Sequence, residues 1–236
     1  MTMQSHFSEK DASLATPASG ETLRMFDEIT KTWNPVIGCL HSCSYCWARR
    51  LACTRLRNSE RYKDGFTPKL VEKELTRRFR NQFVFVSDMG DLFGEWVPPE
   101  WINKVLDSVR QSPNSMFLFL TKNPAKYRNF LDLFPKNVVL GATLESNREY
   151  PVSKAPPPFE RYRSMADIRF EHKLVCIEPI MDFDLDTFAQ WIRNIKPAVV
   201  YVGYDNYNNG LTEPDRSKTG QLIGQLLAFT KVKTKF

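Results

Sequence analysis

Short apolar runs along the chain end abruptly in polar groups, and between them apolar residues recur at helical spacing. The strand candidates are Ile29–Ile37, Phe83–Ser87, Met116–Thr121, Asn137–Thr143, Lys173–Glu178 and Ala198–Tyr204. Four of them contain near-continuous apolar stretches (FVFV, FLFL, VVLG, AVVYV), which suit strands of a parallel sheet covered by helices. Pro98 and Pro99 open a helix carrying Trp101, Ile102, Val105, Leu106 and Val109. Asn123 and Pro124 read as the cap and first turn of another, with Tyr127, Phe130, Leu131 and Phe134 on one face. Asp184 caps a third, with Leu185, Phe188, Ile192 and Ile195, and Leu222 to Leu227 mark the last. Helical readings also fall on Trp47–Arg57, Lys69–Arg80 and Phe159–Ile168. Six strand-then-helix units predict an α/β fold with a curved parallel sheet, either an open three-layer arrangement or a partial barrel.

In both architectures ligands gather at the C-terminal ends of the strands. The polar groups of this chain stand there: Cys39 after the first run, Ser87, Asp88 and Asp91 after the second, and Thr121, Lys122 and Asn123 after the third. Thr143, Glu145 and Ser146 follow the fourth, Glu178 and Asp182 the fifth, and Tyr204, Asp205 and Asn206 the sixth. Loops are polar in most proteins, so this placement alone names no chemistry.

Composition narrows the class. The 236 residues are 42% hydrophobic and 25% charged, as in a folded domain. Residues 1–25 read as a flexible polar tail and 26–236 as a single domain. No apolar run approaches the roughly 20 residues of a membrane helix, and the N-terminus lacks the apolar core of a secretory signal. A reducing, cytoplasmic setting is expected, with no membrane partner.

Charge is uneven. Of the net +6, the stretch Trp47–Arg80 holds eleven Lys/Arg against four acids, or +7, and the rest is about neutral. Such a patch attracts an anionic partner such as a nucleic acid. It also reads as a solvated helix face.

Three of the five cysteines, Cys39, Cys43 and Cys46, fall within eight residues in GCLHSCSYCW, between the first strand and a helix. The C-x3-C-x2-C loop is too tight for a disulfide framework and suits a metal or a cluster. Three thiolates can hold three irons of a four-iron cluster and leave the fourth open to a ligand. Zinc with His41 as fourth ligand, or buried cysteines clustered by chance, are the other readings.

The loop, with Tyr45 before its last cysteine and placed after the first strand of a six-unit βα chain, resembles the radical S-adenosylmethionine superfamily. The phrases TWNPVIGC, FVFVSDMGDLF, VVLGATLES and LVCIEPI are similar to a phage-associated branch of it, with spore photoproduct lyase, a DNA repair enzyme, more distant by type. The resemblance implies a partial (β/α)6 TIM-like barrel. It makes Cys39, Cys43 and Cys46 the ligands of a [4Fe-4S] cluster, with S-adenosylmethionine on the open iron. Tyr45 would lie against the adenine or shield the cluster. Ser87 and Asp88 stand where the superfamily contacts the methionine amino group, although its Gly-Gly-Glu is replaced here by Ser-Asp-Met-Gly. Thr143, Glu145 and Ser146 match the ribose and carboxylate region, and Glu178 the region near the adenine. The implied reaction is reductive cleavage to methionine and a 5′-deoxyadenosyl radical, which abstracts hydrogen from a substrate. A partner must deliver the electron, a reductase or a ferredoxin- or flavodoxin-type protein.

Cys176 and Glu178 share a strand face, so an inward Cys176 is a candidate catalytic hydrogen-atom donor, or a small core residue. Tyr201, Tyr204 and Tyr207 read either as a stacking surface for a base or as packing. Arg49 and Arg50 begin the helix after the cysteine loop, where one could hold a phosphate. They tilt the substrate towards a nucleic acid or nucleotide. Two other functions fit the residues: a metal- or cluster-containing nucleic-acid-binding protein without radical chemistry, and a barrel hydrolase using Asp88, Asp91 and Glu178 with a divalent metal.

Overall fold

The computed structural model describes residues 28–235, so the expected tail lies outside the described residues. Seven strands form one sheet: β1 (Lys31–Trp33), β4 (Phe83–Val86), β5 (Met116–Thr121), β6 (Val138–Thr143), β7 (Lys173–Ile177), β8 (Val199–Val202) and β9 (Lys231–Thr234). They lie in that order and every neighbouring pair is parallel. Helices α2 (Pro99–Arg110), α3 (Pro158–Asp167), α4 (Leu185–Ile195) and α5 (Arg216–Leu227) return the chain between strands, and α1 (Trp47–Cys53) follows the cysteine loop.

Alternation along the strands explains the two faces. Val84, Val86, Phe117, Phe119, Val138, Leu140, Val175, Ile177, Val200 and Val202 pack in the large cluster that contains Ile102, Leu106, Phe188, Ile192 and Leu222 of the helices. The intervening residues Phe83, Leu118, Val139, Leu174, Cys176, Val199 and Tyr201 form a separate core on the other face. That face is concave. Just before β1, the Glu28 carboxylate accepts a hydrogen bond from the Tyr201 hydroxyl of β8 at 2.6 Å and pairs with Lys233 of β9. First and last strands therefore approach across an unclosed gap, and the fold is a partial TIM-like barrel. No described helix is long and apolar enough to cross a membrane.

Several elements depart from expectation. The first strand breaks at Pro35: β1 joins the barrel, while β2 (Val36–Ile37) pairs antiparallel with β3 (Lys69–Leu70). The stretch Lys69–Arg80 is therefore not one helix but β3 followed by a 3₁₀ turn, Glu72–Thr76, whose Glu74 carbonyl accepts from Trp33 Nε1 at 3.0 Å. Helix α1 ends at Cys53, where the Thr54 hydroxyl donates to the Arg50 carbonyl. Pro124–Leu133 is 3₁₀, and Asn123 does not cap it; its amide donates to the Phe93 carbonyl instead. Asp184 stands at the N-cap of α4 without a capping bond, its carboxylate taken by Arg148. The seventh strand, β9, was not expected, because KVKT carries no apolar run and lies at the sheet edge.

Candidate active site

The loop from β2 to α1 brings the three cysteines together at the C-terminal end of the barrel. It begins at Gly38, whose φ of +80° and close approach to the Thr67 carbonyl exclude a side chain. Gly38 N donates to the Met89 carbonyl, and Cys39 N to that of Phe66. Midway, His41 Nε2 lies 2.9 Å from Asp91 Oδ2, with its ring edge-on to Trp96. Further on, Ser44 N donates to the Val152 carbonyl, and the loop closes at Cys46, the N-cap of α1, whose Sγ accepts from Arg49 N at 3.3 Å. A short polar loop is thus held by segments from three parts of the chain.

All three thiols are half-buried and line one cavity of about 970 Å³ of empty space, partly open to solvent. Burial pushes the Cys39 and Cys43 thiols up; the Asp91 carboxylate adds to this at Cys39, while Lys122 opposes it at Cys43. Among the described residues, no three His, Cys, Asp or Glu side chains gather closely enough to hold one metal ion.

Tyr45, Asp88, Thr143 and Glu178 line the same cavity. Asp88 Oδ1 accepts from Asn34 Nδ2 at 2.6 Å, and burial raises its carboxyl above the ordinary value against that bond. Glu178 Oε1 accepts from Lys235 Nζ and Asn206 Nδ2, both at 3.0 Å. The other four sequence candidates stand elsewhere. Ser87 leaves β4 with φ of +58°, and its buried hydroxyl has no hydrogen-bond partner among the described residues. Glu145 and Ser146 face a second cavity beside α3, and the Ser146 hydroxyl is engaged by the Asp182 carbonyl at 2.6 Å. Cys176 lies on the concave face, fully buried in the core that Phe85 and Leu120 of the cavity wall pack against. Burial, then the Glu178 charge, pushes its thiol up.

Glu145 is the wall between the two cavities. Its carboxylate pairs with Lys122 of the β5 end, with Arg161 of α3 at 2.7 Å, and accepts from the Tyr45 hydroxyl. Burial alone would raise this carboxyl; Lys122 and Arg161 hold it far below the usual carboxylate range. Arg161 also donates to the Thr143 carbonyl at 2.7 Å. Asp91, equally buried, accepts from the Thr121 hydroxyl, Phe93 N and Lys122 N; burial raises its carboxyl, but His41, Thr121 and Lys122 N together lower it below the ordinary value. In the sequence Asp91 and Lys122 stand at strand ends, with Asp91 a candidate only for a divalent metal and Lys122 given no partner. The pattern makes His41 a candidate only for zinc and gives Arg161 no part, since nothing in a helix marks an arginine that turns inward.

The model of the family described as "Protein of unknown function (DUF5131)" matches residues 26–198. The chain belongs to this family. No curated protein matches the sequence. Among solved structures, the fold is similar to a spore photoproduct lyase variant with bound AdoMet and dinucleoside spore photoproduct, with a TM-score of 0.52 and 10% identity over 84% of this chain and 61% of that one. It is also similar to Streptococcus suis SuiB bound to S-adenosylmethionine, with a TM-score of 0.55 and 9% identity over 88% and 51%. The chain spans about three-fifths of the spore photoproduct lyase length. At such identities the likeness is one of fold.

Proposed function

We propose that this protein is a radical S-adenosylmethionine enzyme. The observation that carries the reading is the convergence of Cys39, Cys43 and Cys46 on one cavity at the C-terminal mouth of a parallel partial barrel. The donor set fits a [4Fe-4S] cluster with one iron left for a ligand. The likeness of the fold to SuiB bound to S-adenosylmethionine supports the cofactor reading.

A [4Fe-4S] cluster held by Cys39, Cys43 and Cys46 would supply the electron for reductive cleavage of S-adenosylmethionine to methionine and a hydrogen-abstracting 5′-deoxyadenosyl radical. The chain's own residues bind and shield. Asp88, Thr143 and Glu178 present oxygens from three strand ends to the cavity and are the groups to receive amino, hydroxyl and adenine donors. Tyr45, fixed by Glu145, gives the cavity a rigid aromatic wall. Phe66, Phe85 and Leu120 exclude water from the interior. Cys176 is the candidate hydrogen-atom donor, one layer beneath that wall. Glu145 acts from behind the lining and positions Tyr45 and Lys122.

The substrate class we propose is a nucleic acid. Of the eleven basic residues in Trp47–Arg80, only Arg61, Lys63 and Arg77 pair with a carboxylate among the described residues. The same surplus favours the second reading, a metal- or cluster-containing nucleic-acid-binding protein without radical chemistry. Anaerobic reconstitution with iron and sulfide, then reduction with S-adenosylmethionine, separates the two. The enzyme forms 5′-deoxyadenosine, and Cys43→Ala loses both iron and product. A reconstituted cluster with no cleavage product, or a colourless protein holding zinc, overturns the enzyme and leaves the binding protein.

A further inference from the structure

The mouth of the cavity carries aromatic surface that packing does not explain. Trp47 and Tyr207 both line the opening, yet are 38% and 51% exposed. Arg50 lies one helical turn after Trp47, on the same face of α1. Its guanidinium carbon sits 5.1 Å from the centroid of the Tyr207 ring, and its Nη2 donates to Asn209 Oδ1 at 2.7 Å.

The loop bearing Tyr207 is braced from within. The Asp205 carboxylate accepts from Tyr207 N at 3.1 Å, from Asn209 Nδ2 at 2.6 Å and from Asn209 N. One face of an exposed ring is therefore held under a guanidinium that no carboxylate neutralises among the described residues, and a base would stack on the other face. Arg49, Arg55 and Arg57 extend the positive surface along and beyond α1, also without carboxylate partners among the described residues. Of the three tyrosines weighed as a stacking surface, Tyr201 is buried against Glu28 and Tyr204 bonds Thr219; Tyr207 alone faces outwards.

Rigid exposed aromatics interleaved with cations offer a face to an unpaired base and a charge to its phosphate. A base inside a duplex has both faces covered by its neighbours and cannot use such a surface. We propose that Trp47, Arg50 and Tyr207 form a docking rim for single-stranded nucleic acid, with a base stacked on Tyr207 and a phosphate held by Arg50. This deepens, and rests on, the nucleic-acid reading of the substrate above.

Fluorescence anisotropy of the full chain with a fluorescein-labelled single-stranded DNA, and with its duplex, tests the rim. The strand binds more tightly than the duplex. Tyr207→Ala weakens strand binding by roughly 5- to 150-fold, and Tyr207→Phe restores it to within about twofold of wild type. Arg50→Gln lowers the slope of log affinity against log salt by about one. Equal affinity for strand and duplex, or a Tyr207→Ala chain that binds like wild type, overturns the rim and leaves a general nucleic-acid site. Binding to neither DNA form overturns the rim and the nucleic-acid substrate together. The 5′-deoxyadenosine assay, which needs no DNA, reads the cofactor chemistry separately.

Discussion

His41 Nε2 stands 2.9 Å from Asp91 Oδ2, tying the middle of the cysteine loop to the segment that follows β4. Both side chains are buried, and Asp91 also receives the Thr121 hydroxyl and two backbone N–H groups. Asp91→Ala strands all of these donors away from water. The expected loss is about 3–5 kcal/mol of folding stability, read from urea midpoints. The reconstituted variant should also retain less iron than wild type, since the loop loses its central tether. An unchanged midpoint would show that the tether is incidental.

Glu145 gathers Tyr45, Lys122 and Arg161 from a loop, a strand end and a helix. Glu145→Gln keeps the shape and removes the charge, leaving the buried Arg161 and the half-buried Lys122 facing a neutral amide. We expect destabilisation of about 3 kcal/mol. The double variant Glu145→Gln, Lys122→Met removes one of those cations and should recover part of the loss. If the double variant is as unstable as the sum of the singles, the three groups do not act as one network.

The barrel was readable in runs such as FVFV and FLFL, because strands buried on both faces leave continuous apolar stretches. The edge strand KVKT has no such requirement, and its two lysines concealed it. Lys69–Arg80 misled for another reason: its spacing is compatible with a helix, but the pairing of β2 with β3 depends on Val36 and Ile37 some thirty residues earlier. The cysteine loop was legible since its ligands lie within one short segment. The network behind it was not, as Tyr45 and Glu145 are separated by 100 residues and His41 and Asp91 by 50. Spacing reports local chemistry; a wall assembled from three strand ends exists only once the sheet is formed.

Glu74 provides a pH test away from the cavity. Its buried carboxylate is raised by desolvation, but hydrogen bonds and charges from Arg77 and Arg61 reverse this and lower it below the ordinary 4.5. A carboxyl lowered on folding stabilises above its unfolded value, and the contribution disappears as pH falls through the folded value. Wild type should therefore exceed Glu74→Gln in stability at neutral pH, with the two curves converging in acid. A gap that stays constant with pH would assign the effect to shape alone.

Gly38 and Gly65 both take left-handed backbone, with φ of +80° and +76°, but their surroundings differ. A Cβ on Gly65 meets nothing within 4 Å, so Gly65→Ala bears only the conformational cost of about 1–2 kcal/mol. A Cβ on Gly38 falls 2.3 Å from the Thr67 carbonyl oxygen, which is backbone and cannot swing aside. Gly38→Ala must part the start of the cysteine loop from the Thr67–Pro68 segment, which breaks the bond from Cys39 N to the Phe66 carbonyl. Its destabilisation should exceed that of Gly65→Ala by at least about 2 kcal/mol, with iron content after reconstitution falling in parallel. Equal midpoints for the two variants would mean that the loop can start without this close approach, and the geometry of Cys39 would then owe nothing to Gly38.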